Sequence, residues 1–188
     1  MVGVSRGGTS ASTKDAWLQT GYAVLAEDGV RAVKIDVLTK RLGVTKGSFY
    51  WHFTDMAAFK AALVSNWARW RDDDHQRFAR MAELPPRDRL LKMMAFLVSP
   101  RYWTLERAMR EWARSDTTAA ASVRAADRRA LRAVRQAFVD FGFDDRTASR
   151  RAEWTMAMGV GALHLSPSRQ PRISAAAREE LVDFMLRA

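Results

Sequence analysis

The run Lys46-Gly47-Ser48-Phe49-Tyr50-Trp51-His52-Phe53 gathers hydrogen-bond donors and aromatic rings into eight consecutive positions. On a helix, Phe49 and Phe53 are four apart and share one face, which suits a core. Lys46, Gly47, Ser48, Tyr50, Trp51 and His52 then fall outward, where an apolar interior has no use for them. Thr45 is expected to cap the helix, whose unpaired N–H groups and partial positive charge favour a phosphate, and Lys46 adds a full charge at that end. Gly47 has no side chain and so admits another backbone at close range. Ser48 can hydrogen-bond a base edge or a phosphate, Tyr50 offers a hydroxyl at phosphate distance, and Trp51 and His52 can touch sugar, thymine methyl or phosphate. The competing reading of Tyr50 and Trp51 is packing against the next helix, a role that Phe49 and Phe53 already fill.

The flanking residues set this helix in place. A short helix over Lys34–Leu42 turns Ile35, Leu38 and Leu42 inward, Gly43-Val44-Thr45 makes a tight turn, and the second helix covers Lys46–Phe53, which is the pattern of a helix-turn-helix. Eight residues at about 1.5 Å each form a rod of roughly 12 Å, comparable to the width of a DNA major groove. Before it, a helix from Ser12 or Thr13 to Glu27 carries Leu18, Tyr22 and Leu25 on one face. After it, Asp55 caps a long helix with the stripe Phe59, Leu63, Trp67, Trp70 and Phe78, which ends before Pro85-Pro86. Leu90, Met94 and Leu97 mark the next helix, and Leu105, Ala108, Met109 and Trp112 the one after Ser99-Pro100. Ser115-Asp116 opens a long helix with Leu131, Val134, Phe138 and Phe141 in register, closed by Gly142. Asp144-Asp145 opens another with Ala148, Ala152, Met156, Val160 and Leu163, and after a loop over Ser166–Arg172, Ser174 caps a last helix using Leu181 and Phe184. These segments make about nine helices and no strand: an all-α chain with an N-terminal three-helix domain over 1–58 and a helical bundle over 59–188.

At 188 residues, with 48% apolar and 28% charged side chains, the chain has the balance of a folded protein and is too short for a large barrel enzyme. A net charge of +10 favours polyanions, either nucleic acid or an anionic membrane surface. Residues 1–58 hold 7 basic and 5 acidic side chains, and residues 59–188 hold 24 and 16, so most of the surplus lies outside the proposed reader. Those later arginines read as solvated helix faces paired with acids at helical spacing. The absence of cysteine excludes a disulfide scaffold, a cysteine nucleophile and a thiolate metal site. Met1–Thr13 has no apolar run of the kind a signal peptide needs, and the most apolar stretch, Trp154–Leu165, is 12 residues long against the roughly 20 of a spanning helix, so a cytoplasmic protein without a membrane partner is expected.

Enzymatic readings find little. Asp72 and His75, three apart in Asp72-Asp73-Asp74-His75, could both reach a metal, but two ligands are not a site and the run reads as a solvated acidic face. No nucleophile elbow, phosphate-cradling glycine loop or dinucleotide fingerprint occurs, so no metal, cofactor or catalytic residue is expected.

Gly29, Leu38, Gly43-Val44 and the run Lys46–Phe53 resemble the DNA-binding segment of TetR-family (tetracycline-repressor-like) transcriptional regulators, over about Ser12 to Lys60. The resemblance implies a three-helix DNA-binding domain, a helical ligand-binding and dimerisation domain, and ligand-controlled repression from a palindromic operator bound by a homodimer. Thr45, Lys46, Gly47, Ser48, Tyr50 and His52 match the family's contact positions. Two residues depart from the pattern. Met56 stands where the family often has a phosphate-binding Lys, which should weaken backbone contact, and Lys34 stands where Thr or Ser is common and could replace it.

The remainder is rich in Met and Trp. Met94, Trp103, Met109, Trp112, Trp154 and Met158 supply bulky, polarizable surface suited either to a pocket for a small apolar or aromatic effector or to ordinary core packing. The helices Thr117–Phe141 and Arg146–Leu165 are the candidate dimer interface, the second because Ala148, Ala152, Gly159 and Gly161 permit close approach. The rival to a sequence-specific regulator is a protein that coats DNA without sequence preference.

Overall fold

A computed structural model describes residues 13–97, 100–165 and 174–187, and among these it contains nine α-helices and no strand. They are α1 (Lys14–Asp28), α2 (Ile35–Leu42), α3 (Lys46–His52), α4 (Met56–Arg80), α5 (Pro86–Leu97), α6 (Pro100–Ala113), α7 (Thr117–Phe141), α8 (Asp145–Leu165) and α9 (Ala175–Leu186). The expected loop Ser166–Arg172, the break at Ser99 and the side chains of His75 and Phe78 lie outside the described residues.

Local capping explains most of the starts. The first-turn N–H groups of α1, α4, α7 and α9 are accepted by the side chains of Thr13, Asp55, Asp116 and Ser174 at 3.2, 2.7, 2.8 and 3.1 Å. Asp144 does the same for α8, accepting from both Arg146 and Thr147 at 3.0 Å. These bonds from Thr147 and Arg146 hold the Asp144 carboxyl below its ordinary range.

The chain divides into two compact units, Met1–Leu63 and Val64–Ala188, so the division falls inside α4. It lies beyond residue 58 because Phe59 and Leu63 are fully buried with the first unit. In that unit Trp17, Phe49, Phe53 and Phe59 form an aromatic cluster: Phe49 meets Trp17 edge-on at 5.4 Å, and Phe53 meets Phe59 at 4.9 Å. Gly21 lets α1 approach α4, since a Cβ there would stand 2.7 Å from Phe59 Cζ. The Tyr22 hydroxyl donates to the Leu63 carbonyl at 2.6 Å.

In the second unit α7 packs against α5, α6 and α8, and α9 against α5. Leu90, Met93, Val134, Phe138, Ala148, Ala152 and Val182 belong to its core. Two expected inward residues are not inside: Phe141 and Phe184 are exposed. Phe141 ends α7 immediately before Gly142, past the last buried turn, and α9 buries Val182, Met185 and Leu186 instead, which leaves Phe184 on its other side. The later arginines are not all solvated either. Arg89, inside the α5 stripe with Leu90 and Met93, is buried, with its guanidinium donating to Asp140 at 2.6 Å and to the Ala82 carbonyl at 3.2 Å.

Candidate functional site

The short α3 is held from behind. Gly43 closes α2 with φ 66°, a left-handed conformation that favours glycine, and the Val44 N–H donates to the Thr39 carbonyl at 3.1 Å, so the chain reverses within three residues. Leu38 and Phe49 are fully buried and Phe53 nearly so, which fixes the roll of α3 about its axis.

That roll decides what faces solvent. Tyr50 is 57% and Trp51 85% exposed, so neither packs on the following helix. Lys34, Thr45, Lys46 and Gly47 are exposed, and Ser48 and His52 are half-buried. Thr45 occupies the N-cap position, but its side chain makes no capping hydrogen bond, contrary to expectation; its backbone carbonyl accepts from Ser48 N at 3.1 Å. Lys34 precedes α2 in the same way, also without a side-chain cap. Lys46 pairs with Asp36 of α2 at 2.6 Å, and this hydrogen bond raises its ammonium above the ordinary lysine range.

Gly47 has no structural reason to be glycine. Its φ is not in the left-handed region, and among the described residues an added Cβ would meet only Thr45 Oγ1 at 3.7 Å, an ordinary contact. A glycine in a helix costs up to about 1 kcal/mol relative to alanine.

The second unit contains a cavity of about 120 Å³. Of the six residues considered for an effector, Met94, Trp103 and Met158 line it. Met109 and Trp112 are buried in the unit but are not among the lining residues. Trp154 is 61% exposed, because α8 turns Ala148, Ala152 and Leu163 inward and Trp154, two residues from Ala152, emerges on the far side. The lining also includes Glu106 and Asp127, together with Arg71 and Arg110, two of the later arginines that the sequence assigned to solvated faces. The signal available was register: Trp103, Glu106 and Met109 recur every three residues on α6, and all three are buried.

Asp72 and Asp74 both lie beside arginines. Asp72 pairs with Arg129 at 2.6 Å and Asp74 lies 3.7 Å from Arg71, and no cluster of three metal-ligating side chains occurs among the described residues. No helix among them is long and apolar enough to cross a membrane.

A helix-turn-helix with a polar and aromatic outer face, in a chain whose second unit is a helical bundle with a cavity, is the arrangement of a DNA-binding module joined to a helical body. Residues 18–63 match the family described as bacterial regulatory proteins, tetR family. Over those residues the chain carries the N-terminal domain of that family. No curated relative matches the sequence. Among solved structures, a TetR transcriptional regulator from Legionella pneumophila is similar at TM-score 0.75 and 14% identity, covering 93% of this chain and 97% of the other. A transcriptional regulator from Rhodococcus sp. Rha1 matches at 0.70 and 18%, covering 93% and 94%. A regulator from Saccharomonospora viridis, solved in complex with choline, matches at 0.69 and 14%, covering 92% and 94%. At these identities the likeness is one of fold.

Proposed function

We propose that the protein binds a palindromic DNA operator as a homodimer in the cytoplasm and leaves it when a small apolar or aromatic molecule enters the cavity of the second unit. The first unit, to Leu63, is the reader and the second, from Val64, the effector and dimerisation domain. The observation that carries the reading is the face of α3: Lys46, Tyr50 and Trp51 are exposed around Gly47, which no intramolecular neighbour requires to be glycine. Lys34, Thr45, Ser48 and His52 complete the surface.

A short helix reads only a few base pairs, and a dimer reading two half-sites about one DNA turn apart is the general remedy. An unburied stripe on α8 supports that assembly. Trp154, Met158, Gly161 and Leu165 recur at intervals of four, three and four; the three large side chains are exposed, and nothing stands within 4 Å of a Cβ added at Gly161. Phe184 on α9 is also exposed, whereas α7, the other interface candidate, commits its apolar face to α5, α6 and α8. A second copy is the natural cover for such a stripe. Control by a small molecule requires that it bind one DNA-binding state more tightly than the other, with a coupling of about 1–3 kcal/mol in typical cases. The neighbour solved with choline supports a small-molecule role for this fold.

Selection of bound fragments from genomic DNA tests the reading. A regulator yields a palindrome bound roughly 10³–10⁷ more tightly than random sequence. The surplus positive charge of residues 59–188 favours the alternative of a coating protein, which would bind both alike with an affinity falling steeply with salt.

A further inference from the structure

Two glycines near the end of α8 stand on opposite sides of the helix. Their spacing offered both to a helix partner, but residues two apart are turned about 200° from one another, and the structure gives them different surroundings. Gly161 falls in line with the exposed Trp154, Met158 and Leu165. Gly159 falls in line with Ala152, Met156 and Leu163, at intervals of four, three and four, on the side that α8 turns to its own unit, where Ala152 and Leu163 are buried. Gly159 also lines the cavity.

A glycine on an inward face is ordinarily pressed by a neighbour, as Gly21 is by Phe59, whose Cζ would stand 2.7 Å from an added Cβ. At Gly159 the reverse holds. Among the described residues nothing stands within 4 Å of an added Cβ, and the backbone there is not left-handed, so neither packing nor conformation calls for glycine. A glycine inside a helix weakens it relative to alanine. What the bare position preserves is room in the cavity.

The rest of the wall describes what that room holds. Leu90, Met93, Met94, Val134, Met156 and Leu181 are adaptable apolar side chains suited to an apolar body. The charged members of the wall each have an opposite charge beside them: Arg110 donates to Glu106 at 2.8 Å and to Asp127 at 3.0 Å, and Arg71 lies 3.7 Å from Asp74. The surface left to a ligand is apolar, and an uncharged body costs least to place against it. An apolar cavity of about 150 Å³ holds a benzene molecule, so about 120 Å³ sets the scale at one small ring.

We infer that Gly159 determines the specificity of this cavity: an uncharged molecule of about one small ring lies against the bare backbone of α8, in space that a side chain at 159 would occupy. The inference rests on the reading of this cavity as the effector site, for which it names the class of molecule and the residue that limits its size.

Calorimetric titration of the full chain, and of Gly159→Ala and Gly159→Leu, with benzene, toluene, benzylamine and benzoate tests it. On the native chain toluene should bind roughly tenfold or more above benzylamine and benzoate, which carry the same ring with a charge. Gly159→Leu should weaken toluene by roughly tenfold or more. Gly159→Ala takes up the room of one methyl and should weaken toluene relative to benzene by roughly fourfold, the worth of one buried methyl group. Its urea midpoint should rise, because a helical glycine is lost and empty space is filled. A lowered midpoint in Gly159→Ala, or toluene affinity unchanged in both variants, would overturn the assignment to Gly159 and leave the effector cavity standing. Benzylamine or benzoate bound as tightly as toluene would overturn the uncharged class. If none of the four compounds binds the native chain, the cavity reading falls and the inference with it. Should Gly159→Leu not fold, the shift between benzene and toluene in Gly159→Ala still decides.

Discussion

Alanine at position 47 separates what α3 owes to the fold from what it owes to DNA. Inside the protein the new methyl meets only Thr45 Oγ1 at 3.7 Å, so there is no steric cost. The helix gains by the removal of glycine, by up to about 1 kcal/mol in a helix interior and about half that in the first turn, where Gly47 stands. Urea unfolding should therefore show a slightly raised midpoint at an unchanged slope. In the proposed complex with DNA the same methyl would occupy the space through which a phosphate or base edge reaches the N–H groups of α3. Loss of one hydrogen bond to a charged group is worth about 1.5–3 kcal/mol, or roughly ten- to a hundredfold in affinity by fluorescence anisotropy on the selected operator. Gly21→Ala is the matched control. Its methyl would stand 2.7 Å from Phe59 Cζ and 3.0 Å from Leu63 Cδ2, and Phe59 is wedged against Phe49 and Phe53, so overpacking should cost about 1–3 kcal/mol of stability and leave the affinity of the folded molecules intact. The two substitutions are chemically identical and should move stability in opposite directions. If Gly47→Ala kept full operator affinity, or unfolded more readily than the native chain, the assignment of that glycine to a DNA contact would be refuted.

Further outcomes can be checked alongside it. Lys46→Ala should weaken binding to operator and random DNA alike and lower the slope of log affinity against log salt by about one, with unfolding unchanged because its pair with Asp36 is fully exposed; an unaltered slope would remove Lys46 from the phosphate contacts. Trp154→Glu places a charge in the apolar stripe of α8 and should give a monomer by sedimentation with steeply reduced operator binding, and a dimer of native affinity would rule that stripe out as the interface. The Asp183 carboxyl is held below its ordinary range by Arg87, and Asp144 by the N–H of Thr147. The stability they confer is present above about pH 4 and lost as pH falls through their lowered values, so the urea midpoint of the native chain should drop in that acid range and Asp183→Asn should drop less; coincident pH profiles would contradict it.

Much of this was legible along the chain because it rests on neighbours in sequence. Thr13, Asp55, Asp116 and Ser174 cap their helices through contacts three residues away, and Phe49 and Phe53 turn inward because four residues make about one helical turn, which leaves Tyr50 and Trp51 outside. The exposed face of α3 is a property of that one segment and needed only the helix period to be seen. The cavity is different in kind. Met94, Trp103 and Met158 line it while Met109, Trp112 and Trp154 do not, although all six are large and apolar, and Glu106 lines it although it is charged. Composition says that such side chains are present. Which side of a helix closes a cavity is decided by the helices packed against it, and those neighbours come from distant parts of the chain whose arrangement only the tertiary fold supplies.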